Sequence, residues 1–142
     1  MYYPTSKKIL SKKPLINPLV IEIVKSWKSC YLPGWKNQPK EEKLKNIETL
    51  LMAICLLTKV KNKDISKVLI KNGDKYCYYP SKLTIYQDDY NPSIISALHE
   101  LAHHIFGPNE LIACRWSIFL FKSCFPKEYK KLHWQKHMLI KN

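Results

Sequence analysis

Two histidines and a glutamate form the clearest chemical pattern in the chain. His99, Glu100 and His103 lie in the sequence HELAH, which is an HExxH pattern. Residues four apart lie on one face of a helix, so both imidazoles can reach a single metal ion. Random placement would produce this pattern in about 1% of chains of this composition. We therefore interpret it as functional rather than accidental.

The pattern predicts a metal centre with a free coordination position. Zinc held by two imidazoles and a third protein ligand keeps a fourth position for water and lowers the pKa of that water toward neutrality. Glu100 would take the proton from the attacking water and pass it to the leaving group. We expect one Zn²⁺ ion as cofactor and Glu100 as the catalytic base. The alternative is an amphipathic helix whose histidines are merely polar.

Glu110 is the best candidate for the third metal ligand. It lies just after the break at Gly107-Pro108, at the start of the next predicted helix. Positions three, four and seven residues beyond it carry small side chains, so this helix face could approach the HExxH helix closely. The alternative is a glutamate that interacts favourably with the dipole of its own helix.

Several other polar residues near the pattern have weaker claims. His104 should point away from the ion and act in the second shell or at the surface. Asp88 and Asp89 could orient a ligand histidine or bind a substrate amine, although the sequence favours a solvated turn. Tyr86, Tyr90 or His104 could donate a hydrogen bond to the oxyanion of the transition state.

Capping residues and prolines predict where the helices lie. Asparagine followed by proline can cap a helix and fill its first turn, and glycine ends a helix in a left-handed conformation. Apolar residues at three-to-four spacing support the same segments. The predicted helices run from Leu19 to Tyr31, after Pro39 to Leu57, from Asn91 to about Phe106, from Pro108 to about Cys124, and from Pro126 to Met138.

A strand-rich segment precedes the HExxH helix. Lys67–Lys71, Tyr76–Tyr79 and Lys82–Tyr86 are rich in strand formers, which predicts two or three antiparallel strands. The expected fold class is α+β, a helical domain with a small antiparallel sheet next to the HExxH helix. We expect one domain over residues 1–142, with 74–121 as its metallopeptidase-like core and 1–14 as a loose basic arm.

The composition limits the partners of the chain. Its 142 residues fit one domain, and no apolar stretch is long enough to span a membrane. The five cysteines have no CxxC pair, which favours reduced, mostly buried thiols and a cytoplasmic location. A formal net charge of +13 allows nucleic-acid binding. Lysines dominate that charge, however, and this favours a solvated basic surface over nucleic-acid binding.

The segment from about Asp74 to Phe121 resembles the zincin-like metallopeptidases, and among them the compact intracellular ImmA/IrrE-like and SprT-like groups. The likeness consists of the hairpin Tyr76–Tyr86, the sequence ALHELAHHIFG, and Glu110 followed by small residues. The resemblance implies a minimal zincin-like fold. The remaining chain matches neither group, and the whole could belong to a phage or mobile-element family acting in the host cytoplasm.

The resemblance also implies an activity. It assigns His99, His103 and Glu110 as metal ligands and Glu100 as the general base of a zinc metallopeptidase that hydrolyses a protein or peptide substrate. A second hypothesis keeps the fold without turnover, as a basic binding module associated with nucleic acid or a virion. The two hypotheses differ in whether Glu100 is required for peptide hydrolysis.

Overall fold

The structure is a computed structural model of the chain. It describes the backbone at residues 4–58, 69–72, 77–79, 82–87, 94–135 and 138–141. Side chains are described at residues 4–39, 41–58, 94–132 and 134.

Helices dominate the described part of the chain. Their bounds are α1 Ser6–Leu10, α2 Pro18–Tyr31, a short 3₁₀ turn Trp35–Asn37, α3 Lys40–Thr58, α4 Ile94–Phe106, α5 Glu110–Cys124 and α6 Pro126–Lys130. None of these helices combines the length and the apolar character that a membrane-spanning helix needs.

The first long helix begins where the capping signal predicts. The side chain of Asn17 accepts a hydrogen bond from the backbone N–H of Leu19 at 3.0 Å, and Pro18 fills the first helical position. This bond satisfies one of the amides that a helix N-terminus leaves without a partner. The predicted helix through Tyr31 is confirmed.

Helix α3 buries the apolar stripe that its sequence predicts. Ile47, Leu50, Leu51 and Ile54 recur at three-to-four spacing and are essentially inaccessible to solvent. Glu41 and Glu42 occupy the first turn, where negative charge interacts favourably with the helix dipole. The stripe therefore faces the core, as the spacing predicts.

Four helices enclose the main core. Helix α2 packs on α3, α3 on α4, α4 on α5, and α5 on α2, so each helix contacts two others. Fully buried side chains from all four meet inside, among them Val24, Leu51, Leu98 and Leu120. Each such side chain contributes about 1.5–3 kcal/mol by leaving water. This packing fixes the position and rotation of α4.

The predicted fold class is wrong. Helices account for 78% of the residues whose side chains the structure describes, so the expected small antiparallel sheet beside the HExxH helix is not supported. The reason is that α2, α3, α4 and α5 bury their apolar faces on one another, so helices supply the core among the residues whose side chains are described. Alternating apolar residues in a short segment indicate an extended backbone but not how that backbone pairs.

Extended segments occur as short strands described by their backbone. Strand β1 (Leu69–Asn72) pairs parallel to β3 (Lys82–Gln87), and β2 (Cys77–Tyr79) pairs antiparallel to β3. The pairing is thus mixed, not the antiparallel arrangement predicted for this segment. Near the end of the chain, β4 (Leu132–Gln135) pairs antiparallel to β5 (Met138–Lys141).

The last predicted helix is too long. Helix α6 ends at Lys130, whereas the prediction continued it to Met138. Beyond Lys130 the chain turns into strand β4. Leu132 and Trp134 are two residues apart, which is strand spacing, and this local pattern accounts for the early end of the helix that Pro126 starts.

The N-terminal segment is anchored rather than loose. Helix α1 buries Ile9 completely against Cys114 and Ile118 of α5. Arg115 holds the end of α1 by donating hydrogen bonds to the backbone carbonyls of Lys8, at 2.8 Å, and Ile9, at 3.3 Å. A basic sequence alone did not reveal this contact, because it depends on one buried isoleucine and one distant arginine.

Candidate metal centre

Helix α4 carries the HExxH residues and is covered on several sides. Leu98, Leu101 and Ala102 are fully buried in the main core. Glu100 and His103 are also buried, with 4% and 6% of their surface exposed. The polar side of the helix is therefore more enclosed than the open cleft that its amphipathic pattern predicts.

A tight connection brings Glu110 back to α4. Gly107 ends α4 with a positive φ of 97°, a conformation that favours glycine. After Pro108, the side chain of Asn109 caps α5 by accepting a hydrogen bond from the N–H of Ile112 at 3.0 Å. Glu110 is consequently the first residue of α5, and the two helices pack closely along their length.

The three predicted ligands lie together. Nε2 of His103 donates a hydrogen bond to Oε1 of Glu110 at 2.8 Å, and Nε2 of His99 lies 3.2 Å from Oε2 of the same carboxylate. One ligand atom from each residue falls within 4.8 Å of the other two. Donor atoms around tetrahedral zinc lie about 3.3 Å apart, so small side-chain movements would suffice. This group could hold a metal ion.

The pKa values of Glu110 and His103 are shifted because the Glu110 carboxylate lies between two imidazoles. Burial acts to raise the pKa of Glu110, but the hydrogen bonds from His103 and His99 hold that pKa well below its usual range. Burial acts to lower the pKa of His103, yet its bonds to Glu110 and Gly107 raise it overall. The hydrogen bonds from the two imidazoles thus favour the ionised form of Glu110.

Glu100 lies beside this group but outside its hydrogen bonds. Its Oε2 atom is buried and has no hydrogen-bond partner among the described residues. Burial raises the pKa of the Glu100 carboxyl to about 7, although the neighbouring histidines act to lower it. Such a buried carboxyl destabilises the fold unless another group interacts with it. Glu100 is therefore a candidate functional position.

Two contacts that sequence reasoning missed orient the histidines. Nδ1 of His103 donates a hydrogen bond to the backbone carbonyl of Gly107 at 2.9 Å. Nδ1 of His99 lies 3.9 Å from the thiol of Cys114, which is a weak contact. Burial raises the pKa of that thiol to about 12, so it stays neutral. The sequence signals were only a helix-ending glycine and a small residue one turn after Glu110.

Among the weaker candidates, His104 alone has a side chain that the structure describes. His104 lies on α4 outside the three-ligand cluster. Asp88, Asp89 and Tyr90 lie outside the described residues. Tyr86 belongs to strand β3, where the backbone alone is described. Their predicted roles in orienting a ligand, binding substrate or stabilising an oxyanion stay predictions.

Comparison with known proteins adds no relative. The chain matches no protein-family model, no curated protein and no solved structure. The chemistry of the site therefore rests on the geometry of its own residues.

Proposed function

We propose that this chain is a zinc-dependent metallopeptidase in which His99, His103 and Glu110 hold the metal and Glu100 is the general base. The observation that carries the proposal is the convergence of three ligand atoms within 4.8 Å beside a buried carboxyl whose Oε2 has no hydrogen-bond partner among the described residues. Either feature alone has a structural explanation. Together they supply a metal cage built from α4 and α5, and a base directly after one of its ligands on α4.

The donor set supports zinc over other ions. Two imidazole nitrogens and one carboxylate are the ligands of catalytic zinc sites, which keep an open position. Calcium and magnesium prefer oxygen ligands throughout, so two histidines argue against them. His99 and Glu110 retain 23% and 24% side-chain exposure, whereas His103 is nearly buried. A substrate would therefore approach from the side of His99 and Glu110.

Glu100 supplies the proton transfer in this proposal. A bound zinc ion would act as a Lewis acid that polarises a peptide carbonyl and makes water more acidic. Oε2 of Glu100 is the atom available to accept the proton of the attacking water. The same carboxyl then donates that proton to the departing amine, which is the role of a general acid. A carboxyl pKa near neutrality suits both halves of this transfer.

The metal centre is tested by elemental analysis of protein purified without a histidine tag or added metal. We expect near-stoichiometric zinc that disappears in His99→Ala. His104→Ala is the matched control, because it removes an imidazole from the same helix outside the cluster, and it should keep its zinc. Protein that stays free of zinc after incubation with the ion at neutral pH would contradict the proposal.

The peptidase activity is tested with a peptide library read by mass spectrometry. Zinc-loaded wild type should cleave members of the library, and Glu100→Gln should lower the rate by roughly 10²–10⁴-fold while retaining zinc. Cleavage that survives Glu100→Gln would refute the assignment of the base. A zinc-loaded wild type that cleaves nothing in the library or among intact proteins would refute the peptidase activity while leaving the metal site.

A further inference from the structure

The turn that ends α4 makes two hydrogen bonds to the same residue. The N–H of Gly107 donates to the backbone carbonyl of His103 at 2.9 Å, and the carbonyl of Gly107 accepts from Nδ1 of the His103 ring, also at 2.9 Å. The first bond is an ordinary i to i−4 helical bond. The second bond joins the backbone of the turn to a residue of the candidate metal group.

A continuing helix could not make the second bond. Every carbonyl of an α-helix points toward the C-terminus, so the carbonyl of residue 107 would point away from the ring of His103. At Gly107 the φ of 97° turns the chain out of the helix. Residues with a Cβ rarely adopt such an angle. The hydrogen bond to the ring thus depends on a backbone conformation that glycine favours.

The bond decides which nitrogen of His103 faces the ligand group. An imidazole can present either nitrogen to a metal, and a hydrogen bond at one nitrogen fixes the other as the ligand. With Nδ1 engaged by Gly107, Nε2 is directed at Glu110, 2.8 Å from Oε1. Loss of the Gly107 contact would free the ring to rotate about its side-chain bonds.

We propose that Gly107 is a positioning residue of the metal centre: its left-handed backbone aims a carbonyl at Nδ1 of His103 and so holds Nε2 on the ligand side. The inference rests on the proposed metal site. It adds a backbone determinant that lies outside the HExxH pattern, and it gives a role to the helix-ending glycine four residues after the second histidine.

The chain contains a matched control for this role. A Cβ built at Gly107 meets no atom within 4 Å, so substitution there changes backbone conformation without a clash. Gly34 has the same properties, with a φ of 76° and open space around a built Cβ. It lies in the connection between α2 and α3, away from the ligand group. Alanine at either position should strain the backbone, but only one position contacts a ligand histidine.

The experiment compares zinc affinities by chelator competition in Gly107→Ala, Gly34→Ala and Gly107→Asn. Gly107→Ala should bind zinc about 10–100-fold more weakly than wild type, as expected for loss of a contact that orients a ligand. Gly34→Ala should stay within about twofold of wild type, because it leaves the outer contact of His103 intact. Gly107→Asn should recover much of the affinity, because asparagine tolerates a positive φ better than alanine. Equal losses in the two alanine variants would overturn the proposal.

If Gly107→Ala does not fold, nitrogen-15 NMR of the histidines in the wild-type protein tests the contact between Gly107 and His103. We expect a slowly exchanging proton on Nδ1 of His103 in both metal-free and zinc-loaded protein, with zinc bound through Nε2. Zinc bound through Nδ1, or a rapidly exchanging Nδ1 proton, would overturn the inference. A wild type that binds no zinc would instead refute the proposed function, while the Nδ1 proton of the metal-free protein still tests the Gly107 contact.

Discussion

The helix pairs α2–α3 and α4–α5 share one core but bury different chemistry. In each pair the connection contains a glycine with positive φ, Gly34 or Gly107. The α2–α3 pair buries mainly aliphatic side chains, and its interhelical hydrogen bond runs from Nε1 of Trp27 to the carbonyl of Asn46. The α4–α5 pair instead buries the carboxyl of Glu100 and the imidazole of His103, whereas the charged residue that α3 buries is a lysine, Lys43. The difference indicates that the first pair stabilises a fold in which the second pair can keep costly polar groups.

Truncation of a buried side chain in the α2–α3 pair should give the largest effect on stability. Leu51→Ala in α3 removes a fully buried side chain, and we expect a loss of about 2–5 kcal/mol in the free energy of unfolding. Zinc content per folded molecule should not change. The control is Leu56→Ala on the same helix, where the side chain is 64% exposed. Urea unfolding measures both, and equal losses would contradict the division between the pairs.

Removal of charge from the third ligand should give the next largest effect. Glu110→Gln keeps the shape of the side chain but replaces the carboxylate between His99 and His103. We expect zinc affinity to fall by about hundredfold or more, beyond the range for loss of an outer contact. Glu128→Gln, near the start of the short helix α6, is the charge-matched control. Chelator competition gives both affinities, and an unchanged affinity in Glu110→Gln would exclude Glu110 as a ligand.

Loss of the Cys114 contact to His99 should weaken zinc binding less than loss of the Gly107 contact to His103. The Cys114 contact is 3.9 Å long, so Cys114→Ala should weaken zinc binding by only about two- to fivefold. Cys124→Ala is a close control, because Cys124 is buried on the same helix and makes a comparable 3.8 Å bond to the carbonyl of Ile21. A loss in Cys114→Ala as large as in Gly107→Ala would show that both outer contacts orient the site equally.

Replacement of Glu100, the proposed base, should give the smallest change in stability. Glu100→Gln removes a desolvated carboxyl whose Oε2 has no hydrogen-bond partner among the described residues. We expect the metal-free protein to be unchanged or more stable by up to about 1 kcal/mol. Urea unfolding in the presence of a chelator measures this. A loss of stability comparable to that of Leu51→Ala would mean that Glu100 supports the fold like a core residue.

Local sequence signals predicted the long helices and the ligand group. The capping role of Asn17 and the apolar stripe of α3 depend on neighbours within a few residues, so the sequence alone was sufficient. The same holds for His99 and His103, because helical spacing fixes their common face. Glu110 required one further step, a short turn back to α4. That step depended on the breaker residues Gly107-Pro108.

The features that were missed depend on contacts between distant parts of the chain. The predicted fold class, with its small antiparallel sheet, was wrong because four helices bury their apolar faces on one another. The strand pattern before α4 does not reveal that packing. The anchoring of α1 joins Ile9 to Arg115, which lies over a hundred residues away. The bond between Gly107 and His103 is local in sequence, but it depends on a backbone angle that residue types alone leave open.

Because α1 docks on α5, the reaction rates of three cysteines with a thiol reagent would report how the protein opens. Cys30 is exposed and should react at once with a thiol reagent. Cys114 lies under Ile9, so its modification would measure how often α1 lifts from α5. Cys55 lies in the main core and would be modified when that core unfolds. The three labelling rates would separate the undocking of one short helix from the loss of the whole fold.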